Sequence, residues 1–358
     1  MQKTLQTFKA REYHSIHLMV QRFIEPTPTR ESCWRAIVMM GQNSATYKFA
    51  LAASLIELSS TRSDLILLED LAAPFSRHLR EHVKHLGKQS TRKTVPPLIE
   101  ACNQSNNGEL TEQSLIETTT KLGFVNVIDA FHVVSQGDTP VRFFNDDRKT
   151  RGGITLTDDF FYLAEGGQFS NLPQEVEARW NLVETAWGLD MARNLLDVEY
   201  DLEGGQLYVP RRDTSRVDVT SCRDALNGYQ KGKCFYCFID ISIQSGNDDL
   251  AHVDHFLPHV LKEGREIRNL DGVWNLVLAC QTCNRNKLAR APQVRYLTRL
   301  NTRNNYLISS HHPLRETLIR QTGDTDPDRH SFLNRSYQVA VDTLIHTWGP
   351  TEEFGAAF

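Results

Sequence analysis

Apolar residues recur along the first part of the chain with helical spacing. From Asp64 onward, Leu65, Leu68, Ala72, Phe75, Leu79, Val83 and Leu86 fall at steps of three and four, which puts them on one face of an amphipathic helix. The stretch before it, NSATYKFALAASLIEL at 43–58, is apolar on nearly every face and predicts a buried helix. Ser32 is placed to cap a short helix ending at Gly41, and TEQSLIETTTKLGF at 111–124 predicts another. The pattern then becomes mixed. VRFF at 141–144, GGITL at 152–156 and GQLYV at 205–209 predict short strands, whereas PQEVEARWNLVETAW at 173–187 predicts a helix with Pro173 at its start. PRRDTSRVDVT at 210–220 is polar and charged and is expected to be a linker. A helical tail is expected from Pro292 onward. The fold class expected is α+β, with a helix-rich domain over 1–215, a mixed module over 216–291 and a helical extension over 292–358.

Composition narrows the function classes. The 358 residues are 40% hydrophobic and 23% charged, the balance of a soluble globular protein. No apolar run approaches a membrane span, and MQKTLQTFKAREYHS lacks the basic-then-apolar pattern of a secretion signal, so a cytoplasmic location without a membrane partner is expected. A net charge of −4 argues against coating nucleic acid through bulk charge, though not against a local basic patch. The double glycines at 152–153, 166–167 and 204–205 are not followed by the Lys-Ser/Thr of a phosphate-binding loop, which argues against nucleotide hydrolysis.

Cysteine usage carries the first chemical signal. Cys33, Cys102 and Cys222 stand alone, while the other four form two pairs, Cys234-x-x-Cys237 and Cys280-x-x-Cys283, with 42 residues between them. Such pairs in a cytosolic chain point to zinc rather than disulfides. Four thiolates complete a tetrahedral shell, and a closed shell is structural because no position is left for substrate.

Between and after the pairs lie VDHFLPH at 253–259 and NLDGVWNLVLACQTCNRNK at 269–287. Cys-x-x-Cys, then Asp-His-x-x-Pro, then Trp-Asn-Leu-Val-x-x-Cys-x-x-Cys-Asn-x-x-Lys, resembles the HNH endonuclease family in its zinc-stapled form. The resemblance covers roughly residues 222–291. It implies a ββα-metal fold, a β-hairpin and a helix with one catalytic divalent ion between them. His255 matches the family's first His and is expected to be the general base, since a neutral imidazole near pH 7 suits that role. Asp254 offers a hard oxygen to the ion, and Asn275 matches the central Asn, expected to hold the His ring. The third family position is His; here it is Asn284, whose carbonyl oxygen shifts the expected ion toward magnesium or manganese. His252 and His259 flank the site and are expected to be structural or solvated.

Charge suggests where DNA, the expected substrate, would lie; RNA stays open. Residues 262–303 carry nine Lys or Arg and three Asp or Glu, the footprint of a phosphate-binding surface on an otherwise acidic chain. Lys287 belongs to this stretch. Arg295, Arg299 and Arg303 recur every fourth residue and would share a helix face. A second row, Arg77, Arg80, Lys84 and Lys88, lies on the N-terminal helix with His78, His82 and His85, and is expected to be exposed. Residues 1–215 are expected to direct or gate the nuclease, through a protein or ribonucleoprotein partner among other means, in a restriction, CRISPR or anti-phage setting. The competing reading is a non-catalytic zinc-dependent nucleic-acid-binding module, or a subunit of a larger nucleoprotein complex.

Overall fold

Thr29, rather than Ser32, starts the first of the described helices in the computed structural model of the protein. Its Oγ1 accepts the Ser32 N–H at 3.1 Å, and α1 runs Arg30–Met40. The structure describes residues 28–40, 45–188 apart from 62, 93, 135 and 136, and 199–354 apart from 202, 204, 205, 211–215, 265 and 310–313; Gly41, Asn43 and Ser44 fall outside them. The fold class is α+β, with many helices and small sheets. The chain divides into two units at Leu195/Leu196. The described strand residues between 199 and 210, which lie before the boundary expected at 215/216, fall in the C-terminal unit.

In the N-terminal unit, the all-round apolar stretch is helix α2, Tyr47–Glu57, with Phe49, Leu51 and Leu55 fully buried. The amphipathic pattern that begins at Leu65 is a strand and then a helix. Leu65–Leu67 is strand β1, and α3 follows at once over Leu68–His85. Helices α4, Pro97–Asn106, and α5, Glu112–Leu122, pack against α3. The Thr111 side chain caps α5 by accepting from Ser114 N–H at 3.2 Å. Strands β2, Phe144–Asp147, and β3, Gly153–Leu156, form an antiparallel sheet with β1 in the order β1-β3-β2. A Cβ at position 153 would lie 2.0 Å from the Ile66 carbonyl oxygen, so the strands can approach this closely only with glycine there. Helices α6, Asp158–Ala164, and α7, Leu172–Gly188, complete the unit. Trp34, Phe131, Phe143 and Phe160 meet edge-on or tilted in its core.

Arg77, His78 and Lys84 of α3 are paired within the chain rather than free for a partner. Arg77 and His78 both bond Glu57, and Lys84 bonds Glu81. His82 is buried, against the expectation of exposure. Its Nδ1 lies 2.9 Å from Glu184, its Nε2 3.1 Å from Glu177, and its ring stacks on Trp180 at 3.6 Å. Burial disfavours the charged ring, but the two carboxylates outweigh it and raise its pKa to about 9. A group whose pKa rises on folding adds stability that is complete below its unfolded value, about 6.5, and lost as pH rises through the folded value. The N-terminal unit should therefore lose stability between about pH 6.5 and 9, by up to about 3 kcal/mol. Hydrogen exchange of α3 and α7 amides measures this, and His82→Gln should flatten the dependence. Protection in the parent that stays constant over that range would rule out a charged His82.

The C-terminal unit opens with an antiparallel meander: β4, Glu199–Asp201; β5, Gln206–Pro210; and β6, Arg216–Ser221. Residues 216–220, expected in a linker, are thus paired to β5, while 211–215 lie outside the described residues. Helix α8, Cys222–Gln230, ends at Lys231, whose φ of 53° is a left-handed cap. Strand β7, His252–His255, pairs antiparallel with β8, Leu276–Ala279, and helix α9, Gln281–Lys287, follows. The C-terminal helices are α10, Val294–Ser309; α11, Arg315–Thr322; and α12, Asp326–Leu344.

Candidate functional site

Two tight turns bring the four paired cysteines together. In the first, Cys234 N–H donates to Ile239 O and Phe238 N–H to Cys234 O, with Phe238 at a φ of 64°. In the second, Cys280 caps α9, its Sγ accepting from Cys283 N–H at 3.4 Å. Phe235 N–H bonds Leu278 O at 2.9 Å and ties the first turn to β8. The four Sγ atoms lie within 4.8 Å of one another, and Cys237 and Cys280 are 3.8 Å apart. A tetrahedron of Zn–S bonds of about 2.3 Å has edges of about 3.8 Å. None of the four is in a disulfide. The cluster could hold a structural metal ion such as zinc.

The β7–β8 hairpin and α9 stand beside this cluster, with Asp254 opposite Val277 and His255 opposite Leu276. Asn275, fully buried, ends the loop between the strands. Its Oδ1 accepts Leu257 N–H at 2.8 Å, its Nδ2 donates to Leu257 O at 2.9 Å and Leu270 O at 2.8 Å, and its backbone oxygen accepts Phe256 N–H at 2.7 Å. It thus clamps the chain just after His255 and does not grip the ring.

Asp254 does not present a carboxylate to a hard ion. It is buried, with Oδ1 3.0 Å from Lys287 Nζ and Oδ2 2.6 Å from the Tyr236 hydroxyl. Burial, with Asp254 beside it, pushes the Tyr236 hydroxyl well above its usual range, so it stays a donor. Lys287 also donates to His255 O at 2.6 Å and is itself buried, which corrects its assignment to nucleic-acid contact. Asn284 Nδ2 lies 3.4 Å from His252 Nδ1. Among the described residues, the cysteines alone bring three or more Cys, His, Asp or Glu ligand atoms within 4.8 Å of one another. The residues as placed do not fit magnesium or manganese at Asp254 and Asn284.

His255 meets a residue that motif reading passed over. Its Nε2 lies 3.2 Å from Asp271 Oδ1, and His259 Nε2 lies 3.5 Å from the same oxygen. Lys262 pairs with the other oxygen, Oδ2. The Tyr200 ring stands 6.0 Å from the His255 ring. Burial pushes the His255 pKa down, and Asp271 and Asp254 only partly oppose it, so the ring is neutral near pH 7. The signal for Asp271 was its place in NLDGVWNL, one turn before Asn275. No spacing rule, however, reveals that this loop folds back toward β7.

The arginine row of α10 points inward. Arg299 donates to Phe235 O and to Tyr236 O (3.1 Å), and its guanidinium lies 4.4 Å from the Phe238 ring centroid. Arg303 donates to Leu276 O at 2.8 Å, Trp274 O at 2.9 Å and Val273 O at 3.2 Å. Arg295 pairs with Glu353 at 2.9 Å. Periodicity put the three on one face, as expected, but that face covers the hairpin and the first cysteine turn, so Arg299 and Arg303 are not phosphate contacts. Lys262, Arg268 and Arg285 of the same basic stretch are exposed. Arg285 lines a cavity of about 710 Å³ beside the cysteines, together with Arg290, Leu288, Trp348 and Phe354.

No family model, curated protein or solved structure matches the chain.

Proposed function

We propose that the protein is an HNH-type endonuclease that hydrolyses DNA phosphodiesters, with a zinc-stapled ββα module inside its C-terminal unit. The observation that supports this most is the hairpin and following helix beside four clustered cysteines, with a neutral imidazole at His255. In this reading four thiolates hold one zinc, which fixes both turns and so fixes β7. His255 takes a proton from the attacking water, and Asn275 sets the backbone that carries it. Arg285 and Arg290 give the cavity beside the cysteines a positive rim for a phosphate backbone. The N-terminal unit, with a core of its own, directs or restrains cleavage through a protein or ribonucleoprotein partner.

The test is plasmid cleavage by the full chain across a panel of divalent ions. His255→Ala should lower the rate roughly 100- to 10,000-fold while zinc content and DNA affinity stay at parental levels. Cleavage by this variant at the parental rate would refute the assignment. One observation favours the second reading, a zinc-dependent nucleic-acid-binding module without catalysis: Asp254 is neutralised by Lys287 and Tyr236. Binding without cleavage under every ion would select it.

A further inference from the structure

The disagreement at Asp254 raises the question of where a second ion would bind. His255, His259 and Asp271 supply two imidazoles and a carboxylate around one oxygen, with Nε2–Oδ1 separations of 3.2 and 3.5 Å. We propose that these three side chains bind one divalent transition-metal ion of the zinc, cobalt or nickel kind.

Two orphaned atoms mark the place. His255 Nε2 and Asp271 Oδ1 are buried, and neither has a hydrogen-bond partner among the described residues, although they face each other. A buried polar atom left unpaired is destabilising, and an ion that accepts a lone pair from each relieves both. The two separations from Asp271 Oδ1 suit this, while the His255–His259 edge, longer than 4.8 Å as placed, has to shorten. Ligands bonded at about 2.1 Å lie roughly 3.0 Å apart around an octahedral ion and about 3.4 Å apart around a tetrahedral one. Two imidazoles with one carboxylate favour borderline ions over magnesium, and three protein ligands leave positions open to water.

Access and closure come from the surface side chains. His259 is 47% exposed, and its rotation toward His255 closes the third edge of the ligand triangle. Lys262 is 56% exposed, holds Oδ2 rather than Oδ1, and can swing into water when an ion neutralises Asp271. While an ion holds Nε2, that nitrogen cannot take a proton, so an ion here would switch His255 from base to ligand. The site itself stands on its geometry and does not depend on the nuclease reading.

The test is titration of the full chain, already holding one zinc, with cobalt(II). One further equivalent should bind, with the visible bands of nitrogen and oxygen coordination and without an intense sulfur-to-cobalt band. Asp271→Ala and His259→Ala should each weaken binding about tenfold or more, since loss of an outer-shell partner alone costs that much. Lys262→Gln should tighten it by removing the competing cation. Because His259 is half exposed, its variant keeps the test valid if Asp271→Ala fails to fold. Absence of a second equivalent, or a second equivalent untouched by His259→Ala, would overturn the proposal. Neither result depends on whether DNA is cut.

Discussion

Removing the ion from the four-cysteine cluster, or replacing Cys280 by Ser, is expected to unfold the C-terminal unit. Phe235 N–H to Leu278 O, Arg299 to the Phe235 and Tyr236 carbonyls and the Tyr236 hydroxyl to Asp254 tie the first turn to that unit, whereas the Cys280 cap is a bond within the second turn. Without an ion, four sulfurs crowd together with nothing to bind them. Structural zinc contributes about 10–16 kcal/mol in small zinc modules, whereas whole domains are stable by about 5–15 kcal/mol. The loss should exceed what this unit can absorb. The N-terminal unit has its own core and should keep its transition, so chelator should convert a complete thermal unfolding curve into one that lacks the C-terminal contribution. Elemental analysis should find about one zinc per chain. Well-folded protein without zinc, melting as before in chelator, would exclude a structural ion.

Arg303→Ala should destabilise the same unit by on the order of 5 kcal/mol, because it removes three buried hydrogen bonds from a charged donor, worth about 1.5–3 kcal/mol each; Trp274 O keeps Asn304 Nδ2 and Val273 O keeps Leu276 N–H, so the Leu276 carbonyl loses most. The oxygens are those of Val273 and Trp274 in the turn entering β8 and of Leu276, the first residue of β8. Lysine would not substitute, since a single ammonium cannot match the planar fork. Denaturant unfolding reads the loss directly. A surface arginine would behave oppositely, with stability unchanged and a salt dependence of DNA binding flattened by about 0.9 per lost phosphate contact. That outcome would show that Arg303 faces solvent.

What could be read from the sequence was what local spacing encodes. Helix α2 was visible because every face is apolar, and the cysteine cluster because Cys-x-x-Cys confines two sulfurs within a turn. Segments where the pattern serves two structures were misread. Leu65 and Leu68 fit one helical stripe, yet Leu65–Leu67 is claimed by an edge pairing with β3. The polar segment ending at Thr220 hid the alternating Val217 and Val219 of a strand. Partner choice at the site was least legible. The row Arg295, Arg299 and Arg303 fixes a helix face but not what that face meets. Asp254 looked like a ligand because the residue that neutralises it, Lys287, is 33 positions away. Asp271 reaches His255 only through the fold of the loop between the strands.

The clamp at Asn275 has a consequence for which sequences this architecture tolerates. Its side chain is read by three groups in a fixed sense: one N–H that needs an acceptor and two carbonyls that need donors. Aspartate has the same outline but only acceptors when ionised, so it would set a carboxylate oxygen against both carbonyls. The nearest shape is therefore among the worst replacements. Chemical ageing of this amide to aspartate would not nick the chain or empty a cavity. It would reverse the polarity of one buried contact and release the backbone that carries His255.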